Sequence, residues 1–153
     1  MWKKFCSLVL ATCCWGMAYC AEAIVVDKRP VIIGVSYLSD NDMTKVMLNN
    51  VKTTAKKLNA KLIIRDGRGD VDVQMAQIHD LMAQNTGALV VIFDKAAANG
   101  RTVEDRDEGI PTRVIDATIA DRQAAAAAAV KATEEVWHKV KDRPVKPAFY
   151  NGY

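Results

Sequence analysis

The chain has 153 residues, a quarter of them charged, with 21 Lys and Arg against 18 Asp and Glu and a net charge of +3. That balance excludes the strongly basic footprint of a nucleic-acid binder, and the length bounds the chain to one domain able to bury its own core. All four cysteines, Cys6, Cys13, Cys14 and Cys20, fall in the first twenty residues, so neither a disulfide framework nor a thiolate metal site can be built from the rest.

The chain opens on a basic start, Met1-Trp2-Lys3-Lys4, continues through an apolar run from Phe5 to Trp15, and ends this stretch in small residues around Ala18-Tyr19-Cys20-Ala21-Glu22-Ala23. Basic, apolar, then small-x-small is the layout of a secretory signal peptide. Residues 1–20 are therefore expected to be removed, with cleavage after Cys20 or after Ala23, and the mature chain to work in the periplasm. Leu10-Ala11-Thr12-Cys13 offers a lipid-anchor reading, in which Thr12 stands where a small residue belongs. An uncleaved anchor is a further alternative, although the run is shorter than the ~20 apolar residues of a span. Cleavage takes away Lys3 and Lys4 and no acid, leaving a net charge of +1.

Val31-Ile32-Ile33-Gly34-Val35-Ser36 is a continuous apolar run, the mark of a strand buried on both faces of a parallel sheet. After a polar loop, Asp42 is positioned to cap a helix in which Met43, Val46, Met47, Asn50, Val51, Ala55 and Leu58 recur at helical spacing. Lys61-Leu62-Ile63-Ile64 is a second strand, residues 66–70 a turn, and residues 71–84 a second helix with Val71, Met75, Ile78 and Leu81/Met82 inward. Met43, Met47, Met75 and Met82 thus read as core. Ala88-Leu89-Val90-Val91-Ile92-Phe93 is the third and most apolar strand. Residues 96–107 are expected to form a third helix, and Thr112-Arg113-Val114-Ile115 a fourth strand ending at Asp116. Asp121 caps a long final helix to about Lys141. Its run of six alanines, residues 124–129, gives a strong helix former with a thin side. Residues 142–153 form a Pro-containing tail whose Phe149, Tyr150 and Tyr153 are expected to dock on the lobe or on a partner.

Four alternations of strand and helix predict a single three-layer α/β lobe over residues 30–141, with about four parallel strands in the order 2-1-3-4, right-handed crossovers and helices on both faces. Ligands of such sheets bind beyond the carboxyl ends of the strands. Here those positions are residues 36–41, 66–70, 94–95 and 116–118.

From about Pro30 to Trp137 the chain resembles a known family. Ile33-Gly34-Val35-Ser36 opens the first strand. A long helix leads to Ala60-Lys61-Leu62-Ile63-Ile64 and an Asp-Gly turn, and Gln74 to Met82 reads Gln-Met-Ala-Gln-Ile-His-Asp-Leu-Met. Gly87-Ala88-Leu89-Val90-Val91-Ile92 precedes Asp94-Lys95, and Gly109-Ile110-Pro111 precedes a strand ending in aspartate. In their order and spacing these segments resemble the amino-terminal lobe of type I periplasmic binding proteins, the ribose, galactose and xylose binders of ABC importers. The resemblance implies a sugar-type solute-binding protein reduced to one lobe, whose partners would be a small sugar or polyol and a membrane importer or sensor. It covers one of the family's two lobes, so half a cleft is expected to bind weakly. The family's aromatic in the first loop is replaced by Asp40-Asn41-Asp42-Met43, and Ala117 follows Asp116 where some members carry arginine. The ligand contacts that remain are Asp40, Asn41, Asp94 and Asp116.

A carboxylate accepts two sugar hydroxyls with charge assistance, whereas a loop aspartate equally caps helices and turns. Both readings stand for Asp40, Asp94 and Asp116. Residues 66–70, Asp-Gly-Arg-Gly-Asp, lack the complete pattern of an anion nest or a calcium loop and read as a solvated turn. His79 and His138 read as helix-surface residues, and no metal or cofactor is expected. No phosphate loop or Gly-x-Ser-x-Gly elbow is present, so no enzymatic activity is expected. An accessory protein that contacts a protein partner, a homodimer formed through an exposed sheet edge, and a truncated relic without activity are the competing readings.

Overall fold

A computed structural model describes residues 30–84, 86–94 and 109–143. In chain order the described elements are β1 (Ile32–Tyr37), α1 (Asp42–Lys57), β2 (Lys61–Asp66), α2 (Val71–Ala83), β3 (Ala88–Phe93), β4 (Thr112–Asp116) and α3 (Arg122–Val140). The four strands form one parallel sheet in the order β2-β1-β3-β4, as the alternation predicts. The leader, the helix expected over residues 96–107, Lys95 and the aromatic tail lie outside the described residues.

Side-chain alternation along the strands builds the three layers. In β3 every residue is buried. Ala88, Val90 and Ile92 face one side, where Ile33, Val35 and Ile115 join Met47, Leu48 and Val51 of α1 and Ala125, Ala129, Val136 and Val140 of α3. Leu89, Val91 and Phe93 face the other side, against Ile78 and Leu81 of α2. The small side chains of Ala125, Ala129 and Ala132 form the buried stripe of α3, so the alanine run is the thin side through which α3 approaches the sheet and α1. Close packing of this kind accounts for the absence of larger residues there, since interiors are filled to crystal-like density. Gly34 does the same for the opposite face: a Cβ on it would stand 2.6 Å from Leu89 Cδ2 and 3.3 Å from Leu81 Cδ1.

Capping fixes where the helices begin. Asn41, not Asp42, is the N-cap of α1, its Oδ1 accepting from the Thr44 backbone N–H at 2.8 Å. Asp42 is the first helical residue, where its charge favours the positive end of the helix. Asp70 caps α2 and Asp121 caps α3. β1 and β2 each run further toward their carboxyl ends than apolarity alone suggests: β1 takes in Tyr37, and β2 takes in Arg65 and Asp66. The turn is correspondingly confined to residues 67–70. Of the expected core methionines, Met47 is fully buried, while Met43, Met75 and Met82 are half-buried. Arg113 on β4 pairs with Glu135 on α3 at 2.6 Å. That hydrogen bond from the guanidinium holds the Glu135 carboxyl below its ordinary range.

Candidate functional site

Parallel strands place all their carboxyl ends on one edge, and the register sets what stands beside what. Tyr37 of β1 lies opposite Asp66 of β2 and Ile92 of β3, and Phe93 of β3 lies opposite Asp116 of β4. Across the edge the order is therefore Asp66, Tyr37, Asp94 (one residue past Phe93) and Asp116. The loop after β1 carries Asp40 and Asn41. The four residues singled out in the sequence thus share one edge of the sheet, on three different strand ends.

Their individual settings differ. Asp40 is exposed and reaches Lys45 Nζ only at 3.9 Å, with both side chains more than half exposed, an ion pair of the kind that contributes little. The Asn41 carbonyl oxygen is engaged in the cap. Asp94 is half-buried, and the chain that follows it lies outside the described residues. Asp116 is half-buried, and its Oδ1 accepts from the Thr118 N–H at 2.9 Å and the Thr118 hydroxyl at 2.6 Å.

The structure adds residues that the sequence pattern did not single out. Tyr37 is half-buried, and its phenol is held above its ordinary value, first by burial and then by the neighbouring carboxylates of Asp66 and Asp40. Asp66 and Gly67 are together fixed at three points. Its Oδ1 accepts from the Arg68 N–H at 2.8 Å, its carbonyl accepts from Gln77 Nε2 at 2.8 Å, and Gly67 N–H donates to the Tyr37 carbonyl at 2.7 Å. Gly67 is buried, and a Cβ there would lie 3.0 Å from both Gln74 Cβ and the Tyr37 carbonyl oxygen, so only glycine lets the turn lie this close. Gln74, wholly buried, donates Nε2 to the Ile92 carbonyl at 3.0 Å. Ser36 Oγ, Gln74 Oε1 and Gln77 Oε1 are buried with no hydrogen-bond partner from the protein. All three belong to residues at or reaching the carboxyl ends of the strands.

The electrostatics of this edge follow from the helices as well. The amino ends of α1, α2 and α3 follow strand carboxyl ends, where free N–H groups ordinarily attract anions. Here each is served by the chain itself: Thr44 N–H by Asn41, the Asp72 and Val73 N–H groups by Asp70 at 2.8 and 3.2 Å, and the Ala124 N–H by Asp121 at 2.8 Å. Asp40, Asp66, Asp94 and Asp116 stand beside these caps, with Lys45 near Asp40 and Arg68 in the turn after β2. Among the described residues no group of three or more His, Cys, Asp or Glu is arranged to hold a metal ion. His79 and His138 are both exposed on helices. None of the described helices is long and apolar enough to cross a membrane.

No family model matches the sequence, and no curated protein matches it. Among solved structures, the chain is similar to a crystal structure of a "putative transcription regulator" from Staphylococcus saprophyticus subsp. saprophyticus, with 16% sequence identity and a TM-score of 0.47. The match covers 56% of this chain and 30% of that one.

Proposed function

We propose that the chain is a sugar-type solute-binding protein of the periplasm, reduced to a single lobe, that presents a sugar or polyol to a membrane importer or sensor. The observation that carries this reading is the carboxyl edge of the parallel sheet, where Asp40 and Asn41, Asp94 and Asp116 follow three strand ends in an environment of acceptors. In this reading Asp94 and Asp116 accept ligand hydroxyls at the centre and far side of the edge, and the loop of Asp40 and Asn41 after β1 adds contacts beside them. The basic, apolar, small-residue leader supports export.

The test is thermal stability of the leader-free protein against pentoses, hexoses and polyols. A ligand present at one hundred times its dissociation constant stabilises the native state by ~2.7 kcal/mol, several degrees for a domain of this size. One sugar class is expected to raise the melting temperature, and Asp116→Ala to abolish the rise. A cooperatively melting sample that responds to no sugar or polyol sinks the reading. One observation favours a second reading, that of a protein-binding accessory lobe. β4 is the last strand of the sheet, with no strand on its outer side among the described residues, and its Val114 is 37% exposed.

A further inference from the structure

Two glutamines occupy the sheet-facing side of the amino-terminal half of α2, at positions 74 and 77, where the helical stripe continues below as Ile78 and Leu81. Each spends its amide nitrogen on a backbone carbonyl at the carboxyl end of a strand: Gln74 on Ile92 of β3, and Gln77 on Asp66 of β2. Each leaves Oε1 buried with no partner from the protein. Each amide thus supplies a strand-end carbonyl with a donor that an apolar side chain of the same volume would take away.

What the arrangement does accomplish is geometric. Gln77 grips the Asp66 backbone, the Gly67 N–H ties the next peptide to the Tyr37 carbonyl, and the Gly69 N–H ties the turn to the Leu38 carbonyl at 2.6 Å. Asp66 is thereby held beside Tyr37, its register partner, at the β2 end of the carboxyl edge. We propose that Gln77, supported by Gln74, is a positioning residue for this edge, holding the turn after β2 so that Asp66 stays beside Tyr37 and the pair keeps its place next to the ligand contacts. The ligand part of this proposal rests on the sugar-binding reading. The positioning part does not.

The experiment uses the leader-free protein with ¹³C-labelled tyrosine, the Tyr37 signal being assigned by Tyr37→Phe. The groups that face the Tyr37 phenol are Asp66 and Asp40, and Asp66→Asn sets the scale by removing one of those charges. Gln77→Met, close in volume, is expected to lower the phenol's titration midpoint in the same direction as Asp66→Asn, because Asp66 moves away and water gains access. Where a sugar stabilises the wild type, Gln77→Met is also expected to reduce that stabilisation. Gln77→Ala serves if the methionine variant does not fold. An unchanged midpoint in the folded variant overturns the proposal. A lowered midpoint in a protein that responds to no sugar upholds the positioning role and rejects the sugar-binding reading, so the two fail separately.

Discussion

Gly34 sits in the middle of the central strand β1, and the space beside it is already taken by Leu81 and Leu89. Adding one methyl group forces those side chains out of place, so Gly34→Ala is expected to destabilise the protein by about 1–3 kcal/mol, the usual penalty for overpacking, read as a lower urea midpoint with an unchanged slope. At this scale the sequence was only partly legible. The aspartates at strand ends stand out because they interrupt apolar runs. Gln74 and Gln77 do not, because a search for apolar periodicity passes over a polar residue on the buried stripe. Tyr37 and Asp66 are 29 positions apart, and only the parallel register brings them together. Asn41 and Asp42 are both good caps, and the sequence contains nothing that separates them.

At the scale of elements, apolar runs and helical periodicity located every described strand and helix, with ends displaced by a residue or two. The displaced ends are informative. Arg65 and Asp66 continue β2 because the adjoining β1 supplies the ladder, although their polarity reads as turn. The alanine run of α3 is the element whose composition says least and whose packing says most. Ala129 is fully buried between the sheet and α1, whereas Ala127 is exposed. Ala129→Leu is therefore expected to destabilise the fold by about 1–3 kcal/mol through overpacking, while Ala127→Leu is expected to stay within about 0.5 kcal/mol of the wild type, as surface substitutions do. Equal effects of the two in chemical denaturation would contradict the packing of α3.

For the whole molecule, two perturbed groups shape stability against pH from opposite sides. The Glu135 carboxyl is lowered by its hydrogen bond from Arg113. Its contribution is present above the unfolded carboxyl value of about 4.3 and is lost as pH falls through the lower folded value. The Tyr37 phenol is raised by burial and by Asp66 and Asp40. The unfolded chain ionises first as pH passes about 10, so its contribution is complete below that point and is lost as pH rises through the higher folded value. Urea midpoints measured across the pH range are expected to fall at both ends, with Glu135→Gln flattening the acid limb and Tyr37→Phe the alkaline one. A Tyr37→Phe profile that keeps the wild-type alkaline slope would show that the phenol is not the group responsible.

The described lobe has both of its ends at one pole. Pro30 leads directly into the start of β1. After α3 the chain passes Arg143, whose Nη1 donates to the Gly109 carbonyl just ahead of β4, while Val140 lies over Gly87 just ahead of β3. The carboxyl edge is the opposite pole. A molecule coupled to a sensor chip or bead through either end of the lobe therefore stands with its acceptor-rich rim toward the solution, and a reporter fused at those ends stays clear of anything bound there. Coupling through Lys45, beside Asp40, turns that rim toward the support. Comparing capture by the two chemistries reads the polarity of the lobe directly.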